Sequence, residues 1–178
     1  LANDNITLSQ AFLRSKLIAY KINNDTFKNW IKKESEGYDY NDPLLPPYRK
    51  VYSEMQLIAQ FAGGAESIIP FKLPDDTPKE ILDTIYFHQI RESLSIVEIQ
   101  AGDKKTENGR ITLPSAMMEM VKSTLPSNLK AQLRFSGAIV DKLERKMNTV
   151  NYHDVINQTK NKLLDILLEL ESEFPNLE

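Results

Sequence analysis

NDTFKNWIKKESEGYDYNDPLLPPYRKV, residues 24–51, is the stretch whose reading decides the fold. It holds the only Trp of the chain and three of its nine Pro, and with Tyr52 just beyond it four of the seven Tyr. Asp25 or Asn24 is placed to cap a helix, and Phe27, Trp30 and Ile31 give that helix an apolar face at helical spacing. Gly37 stands where a left-handed residue closes a helix, which predicts a stop there. After it, Tyr38-Asp39-Tyr40-Asn41-Asp42-Pro43 and Leu45-Pro46-Pro47-Tyr48-Arg49 read as an extended aromatic loop, because each residue before a Pro is pushed out of the α region. Such a loop needs a surface to lie on.

The same residues carry a resemblance. A helix ending W-x-x-x-E-x-x-G-Y, followed by an acidic loop and P-x-Y-R, is similar to the start of the AbiTii domain; here the residues are Trp30, Glu34, Gly37, Tyr38, Pro46, Tyr48 and Arg49. The Leu-rich helix ending Leu170-Glu171-Ser172-Glu173-Phe174-Pro175 resembles that family's closing helix, so the resemblance spans most of the chain. It implies a single AbiTii-like domain over 1–178 and a place in bacterial abortive infection, that is, antiphage defence. It brings no catalytic residue set with it.

Composition bounds the rest. With 178 residues, 41% hydrophobic and 26% charged, the chain can bury one substantial core, or two small ones, and a single domain is expected. Its 22 basic and 25 acidic residues are interspersed and sum to −3, so charge supports neither nucleic acid nor an anionic membrane as partner. Cys is absent, which excludes disulfides, thiolate nucleophiles and Cys-ligated metals and fits a reducing cytoplasm. No apolar run approaches the ~20 residues that span a bilayer. A chain that opens on Leu1 rather than Met is expected to be a piece of something longer.

Along the chain, Thr7-Leu8-Ser9-Gln10 has the form of a capping box, and Ala11, Phe12, Leu13, Leu17, Ile18 and Ile22 follow at helical intervals, predicting a helix over about 8–22. It would form an antiparallel hairpin with the Trp30 helix, with Trp30 as its core anchor. Between Val51 and Leu73, Gly63-Gly64 separates two β-rich runs, a strand–turn–strand pattern without the Lys or third Gly of a phosphate loop. Thr77-Pro78-Lys79-Glu80 reads as a second capping box, opening a helix toward Gln100 that the β-prone Ile85-Tyr86-Phe87 would break and Gly102-Asp103 would end. Residues 101–109 form a polar loop, Ile111-Thr112-Leu113 is extended, and Pro114 opens a helix bearing Met117, Met118 and Met120 that Pro126 stops. Alternation over 131–136 predicts a strand; Ser136 or Gly137 then marks the entry to a helix carrying Ile139, Val140, Leu143 and Met147, with Lys142, Arg145 and Lys146 outward. The clearest element is the last. Ile156, Thr159, Leu163, Ile166, Leu167, Leu170 and Phe174 form a helical stripe that Val155, Leu164 and Leu168 widen, and burial of five or six such side chains is worth roughly 1.5 to 3 kcal/mol each before entropy. The fold class is α+β, helix-rich, with an N-terminal helical hairpin, short central strands and a long C-terminal amphipathic helix.

For function, Pro74-Asp75-Asp76 with Glu98 loosely matches the metal-dependent nuclease pattern PD…ExK, in which carboxylates hold Mg²⁺ and activate water, but the Lys is missing. His88 and His153 sit far apart with no second ligand at i+3 or i+4, and nothing in the spacing points to a cofactor. The reading is a non-enzymatic interaction or oligomerisation domain of a defence protein. Its contact surface would be the Trp30–Tyr48 region, Tyr40 included, with the terminal helices, and its partner a protein, self or another defence component. The alternative is an effector nuclease using Asp75, Asp76 and Glu98. A membrane toxin would need an amphipathic basic helix, which the sequence does not present.

Overall fold

The computed structural model describes residues 6–103 and 109–173. Lys104 and Lys105 of the polar loop, and Phe174 and Pro175 of the closing motif, lie outside them. The chain forms two compact units. One takes Leu1–Lys50, Gln89–Asp103 and Thr149–Glu178, the other Val51–His88 and Lys104–Asn148.

The first unit is helical. Thr7 and Gln10 close the expected capping box on α1 (Leu8–Lys21), and Asn24, accepting from Phe27 N–H, caps α2 (Asp25–Glu36). The inward side of α1 is Leu8, Ala11, Phe12, Ser15 and Ala19. Small Ser15 and Ala19 let the neighbour approach closely, and the Ser15 hydroxyl is spent on Ala11 O at 3.0 Å. That narrower stripe corrects the expectation for Leu13 and Leu17, which stand in solvent. A 3-10 turn (Pro47–Arg49) follows the loop. The unit is completed by α4 (Leu94–Gly102) and α7 (Thr149–Glu173), whose Val97, Val155 and Leu163 are among the fully buried side chains. Leu168, expected to widen the apolar stripe of α7, is instead exposed.

The second unit is α+β. The strands β2 (Glu54–Gln60) and β3 (Glu66–Pro70) form the expected hairpin, with Gly63 and Gly64 at positive φ in the turn. The sheet order is β3-β2-β6-β5, all antiparallel, with β5 (Gly109–Thr112) and β6 (Ile139–Met147). The strands β1 (Lys50–Tyr52) and β4 (Phe87–Gln89) pair in a separate two-stranded sheet. Leu57, Ala59 and Leu143 of the four-stranded sheet share one core with Ile85 of α3 (Lys79–Tyr86), Val121 of α5 (Ser115–Thr124) and Leu133 of α6 (Ser127–Ser136). Met117, Met118 and Met120 fill space against that core.

Four local expectations are corrected. Residues 131–136 are helical, because Leu129 to Arg134 are strong helix formers and six alternating residues cannot outweigh them. Gly137, at φ +64°, ends that helix in a Schellman motif, Ala138 N–H to Leu133 O and Gly137 N–H to Arg134 O, and so opens no further helix. Residues 139–147 are a strand, since β2 supplies a partner in register (Leu57 opposite Leu143) that a local pattern cannot reveal. Finally, Thr77 makes no cap on α3, although the break expected at Ile85-Tyr86-Phe87 is present: α3 ends at Tyr86 and the β-prone residues feed β4.

Candidate functional site

Glu34 lies in the last turn of α2, and Arg49 ends the 3-10 turn set by Pro46 and Pro47; both side chains are 0% exposed. The guanidinium is forked onto the carboxylate. Arg49 Nε lies 3.2 Å from each Glu34 oxygen and Nη2 is bonded to Oε2. The remaining donor face, Nη1, is taken by Ile90 O at 3.0 Å and Glu92 O at 2.8 Å. Two phenols complete the set. Tyr38 and Tyr48 donate to Glu34 Oε1 at 2.8 and 2.7 Å, and Trp30 Nε1 donates to the Tyr48 hydroxyl at 3.1 Å. Burial, then the adjacent carboxylate charge, raises both phenol pKa values above the usual range.

The surroundings hold this cluster in place. Trp30 packs on Phe12 and Phe27, ring centroids 5.0 and 6.2 Å apart, which supports its reading as the hairpin anchor. Lys162 of α7 places its ammonium over the Trp30 and Tyr48 rings, and fully buried Thr159 faces the Tyr48 hydroxyl without hydrogen-bonding geometry. Gly37, at φ +99°, turns the chain so that Tyr38 N–H reaches Arg91 O at 2.8 Å; a Cβ on Gly37 would stand 2.8 Å from that same oxygen. The acidic loop is pinned by Lys33, bonded to Asp39 and Asp42, while Asp42 accepts from Leu44 N–H.

The motif is therefore a self-saturated brace. Glu34, Tyr38, Pro46 and Arg49 are buried, Trp30, Gly37 and Tyr48 half-buried, and Tyr40 alone of the eight stands in solvent, under the Arg91 guanidinium. The donors of Arg49 and the carboxylate of Glu34 are occupied by each other and by backbone, which leaves no free proton acceptor or anion clamp there. The AbiTii family model matches residues 1–178, the whole chain.

The chain belongs to the AbiTii family.

AbiTii names a bacterial abortive-infection group, and its match covers both compact units. Sequence similarity is also found to "Oxygen-regulated protein 1" of Papio hamadryas, 26% identical over 152 residues, and of Homo sapiens, 25% identical over 152 residues. Each match covers 84% of this chain and 6% of the relative, so the chain spans a small fraction of the length of the curated relatives it matches. No solved structure matches.

The other sequence-derived residues of this AbiTii chain have separate duties. Glu98 of α4 accepts from Leu8 N–H at 2.8 Å and from the Ser9 hydroxyl, at the N-terminus of α1, where a carboxylate complements the helix dipole. Asp75 is exposed and paired with Lys72 at 2.7 Å, and Asp76 is exposed beside it. Glu98 thus belongs to the first unit and Asp75 and Asp76 to the second. Among the described residues no group of three His, Asp or Glu could hold a metal ion, and no helix is long and apolar enough to cross a membrane.

Arg145 is the residue whose role the sequence reading missed. It lies on the core side of β6 with Leu143 and Met147, not on an outer helix face, and is buried. Its Nη2 donates to Thr84 O and Ile85 O, the open carbonyls of the last turn of α3, and its Nη1 lies 3.1 Å from His88 Nδ1. A buried guanidinium here terminates a helix, against a pKa lowered by burial. The period-two spacing Leu143, Arg145, Met147 was the available signal, and the charge disguised it.

Proposed function

We propose that this AbiTii chain is an interaction and assembly module of a bacterial abortive-infection protein, acting by contact rather than by chemistry of its own. The supporting observation is a division of labour in the first unit. The ionisable residues of the family motif are consumed internally by the Glu34–Arg49 brace, while large apolar side chains stand in solvent on α1 and α4, namely Leu13, Leu17, Tyr20, Ile96 and Ile99. A helix pays for exposed apolar area only in the free state, and covering it by a protein partner recovers roughly 25 cal/mol per Å². Tyr40, exposed under the Arg91 guanidinium, offers a further aromatic contact.

Light scattering over a wide concentration range tests the reading. A mass rising above the 20.4 kDa of one chain as concentration increases is the expected outcome. A single-chain mass at every concentration overturns self-assembly.

A further inference from the structure

The exposed apolar residues of α1 form a stripe. Leu13, Leu17 and Tyr20, 64, 70 and 61% exposed, recur every three or four positions and so share one face over successive turns. Arg14 and Lys21 flank the stripe on one side and Lys16 on the other, and α1 contains no acidic residue. Isolated exposed leucines are ordinary on a protein surface, whereas a contiguous apolar stripe rimmed by charge is the kind of surface that contacts use.

A complementary surface exists on the same unit. The last turns of α7 carry Asp165, Glu169, Glu171 and Glu173 with no basic residue after Lys162; Leu168, 62% exposed, lies between Asp165 and Glu171 round the helix, while Glu169 and Glu173 face toward Asn24 and Trp30 of the α2 region. Four carboxylates over these turns with no base among them after Lys162 repel one another, and a cationic partner relieves that repulsion. None of Arg14, Lys16, Lys21, Asp165, Glu169, Glu171 or Glu173 makes an ion pair with another described residue, so both sets are available.

From this charge complementarity we infer that the outer face of α1 docks on the C-terminal turns of α7 of a second copy, Leu13, Leu17 and Tyr20 covering Leu168 between the opposed charges. The inference rests on the assembly reading above and specifies its surfaces. The contact joins two different patches, so it either closes a ring or symmetric pair or propagates as a chain.

A charge-swap experiment on the full chain decides it. One variant carries Arg14→Glu, Lys16→Glu and Lys21→Glu; a second carries Asp165→Lys, Glu169→Lys and Glu171→Lys. Each alone should associate at least about tenfold more weakly than the unmodified chain in sedimentation velocity, because like charges then face each other. An equimolar mixture of the two, or one chain carrying all six changes, should regain association. Should a reversed variant unfold, Leu17→Gln, at a solvent position, should weaken association on its own. If the unmodified chain associates but the variants are unaffected or the mixture stays apart, this pairing fails while assembly through another surface stands. A single-chain mass for the unmodified protein at every concentration overturns both readings. Binding of that monomer to phosphatidylserine vesicles through α1 would reassign the stripe to a membrane surface and equally overturn the pairing.

Discussion

The Glu34 carboxylate and the Arg49 guanidinium, fifteen residues apart in the chain, meet as a fully buried pair in which neither side chain touches solvent. Removing one member strands the other's charge. Arg49→Met should cost about 3 to 5 kcal/mol, and the double variant Glu34→Leu, Arg49→Met should cost less than Arg49→Met alone, because no charge is left behind. Urea denaturation of the set measures both. A double variant less stable than the single would show that the pair is worth more than its desolvation.

Two phenols on one carboxylate give an alkaline signature. In the unfolded chain Tyr38 and Tyr48 ionise near 10, whereas burial and the neighbouring carboxylate hold their protons to higher pH in the fold. The folded chain then binds more protons than the unfolded one above about pH 10, so stability is complete below that pH and falls as pH rises through it. Tyr48→Phe should show a shallower loss between about pH 9 and 11.5 in urea midpoints. Equal slopes for both proteins would remove the phenol from the account.

Gly37 and Gly64 both have positive φ, at +99° and +83°, but only Gly37 faces backbone, with Arg91 O 2.8 Å from where its Cβ would be. Gly64→Ala meets open space and should cost only the left-handed penalty of about 1 to 2 kcal/mol. Gly37→Ala should cost clearly more, since Arg91 O is fixed by Tyr38 N–H. Equal melting temperatures for the two variants would count against a tight approach at residue 37.

Trp30 binds the loop to the hairpin through its ring and its N–H. Trp30→Phe should lose the bond to Tyr48 at about 1 kcal/mol, and Trp30→Ala about 3 to 5 kcal/mol with faster proteolysis between residues 38 and 48. Unchanged cleavage in that segment would separate the loop from the helix.

Arg145→Lys tests the buried cap on α3. A single ammonium cannot reach Thr84 O, Ile85 O and His88 together as the planar fork does, so a loss of about 1.5 to 3 kcal/mol is expected despite retained charge. A neutral outcome would mean the carbonyls find other donors.

Much of the first unit was legible residue by residue, because its signals are local. The Thr7–Gln10 box, the Asn24 cap and the stop at Gly37 each depend on side chains within four positions of the backbone they satisfy. Glu34 and Arg49 were named only as residues of the family motif, and their pairing was not legible, since nothing in spacing says that a turn across Pro46 and Pro47 folds back on the helix. The second unit was harder. Ile139 to Met147 carries a spacing compatible with a helix, and only the β2 register made it a strand.

Sequence alone determined where α1 and α2 begin at their caps and where α2 stops at Gly37, where Gly63-Gly64 turns a hairpin, and that the last helix carries a long apolar stripe. Those are contests between a residue and its immediate backbone. Tertiary structure decided which apolar residues of α1 and α7 go inside, leaving Leu13, Leu17, Tyr20 and Leu168 in solvent, and it turned Arg145 inward onto helix carbonyls. A helical stripe fixes the direction of a face only to within its width, and the neighbour's shape selects the side chains that are covered.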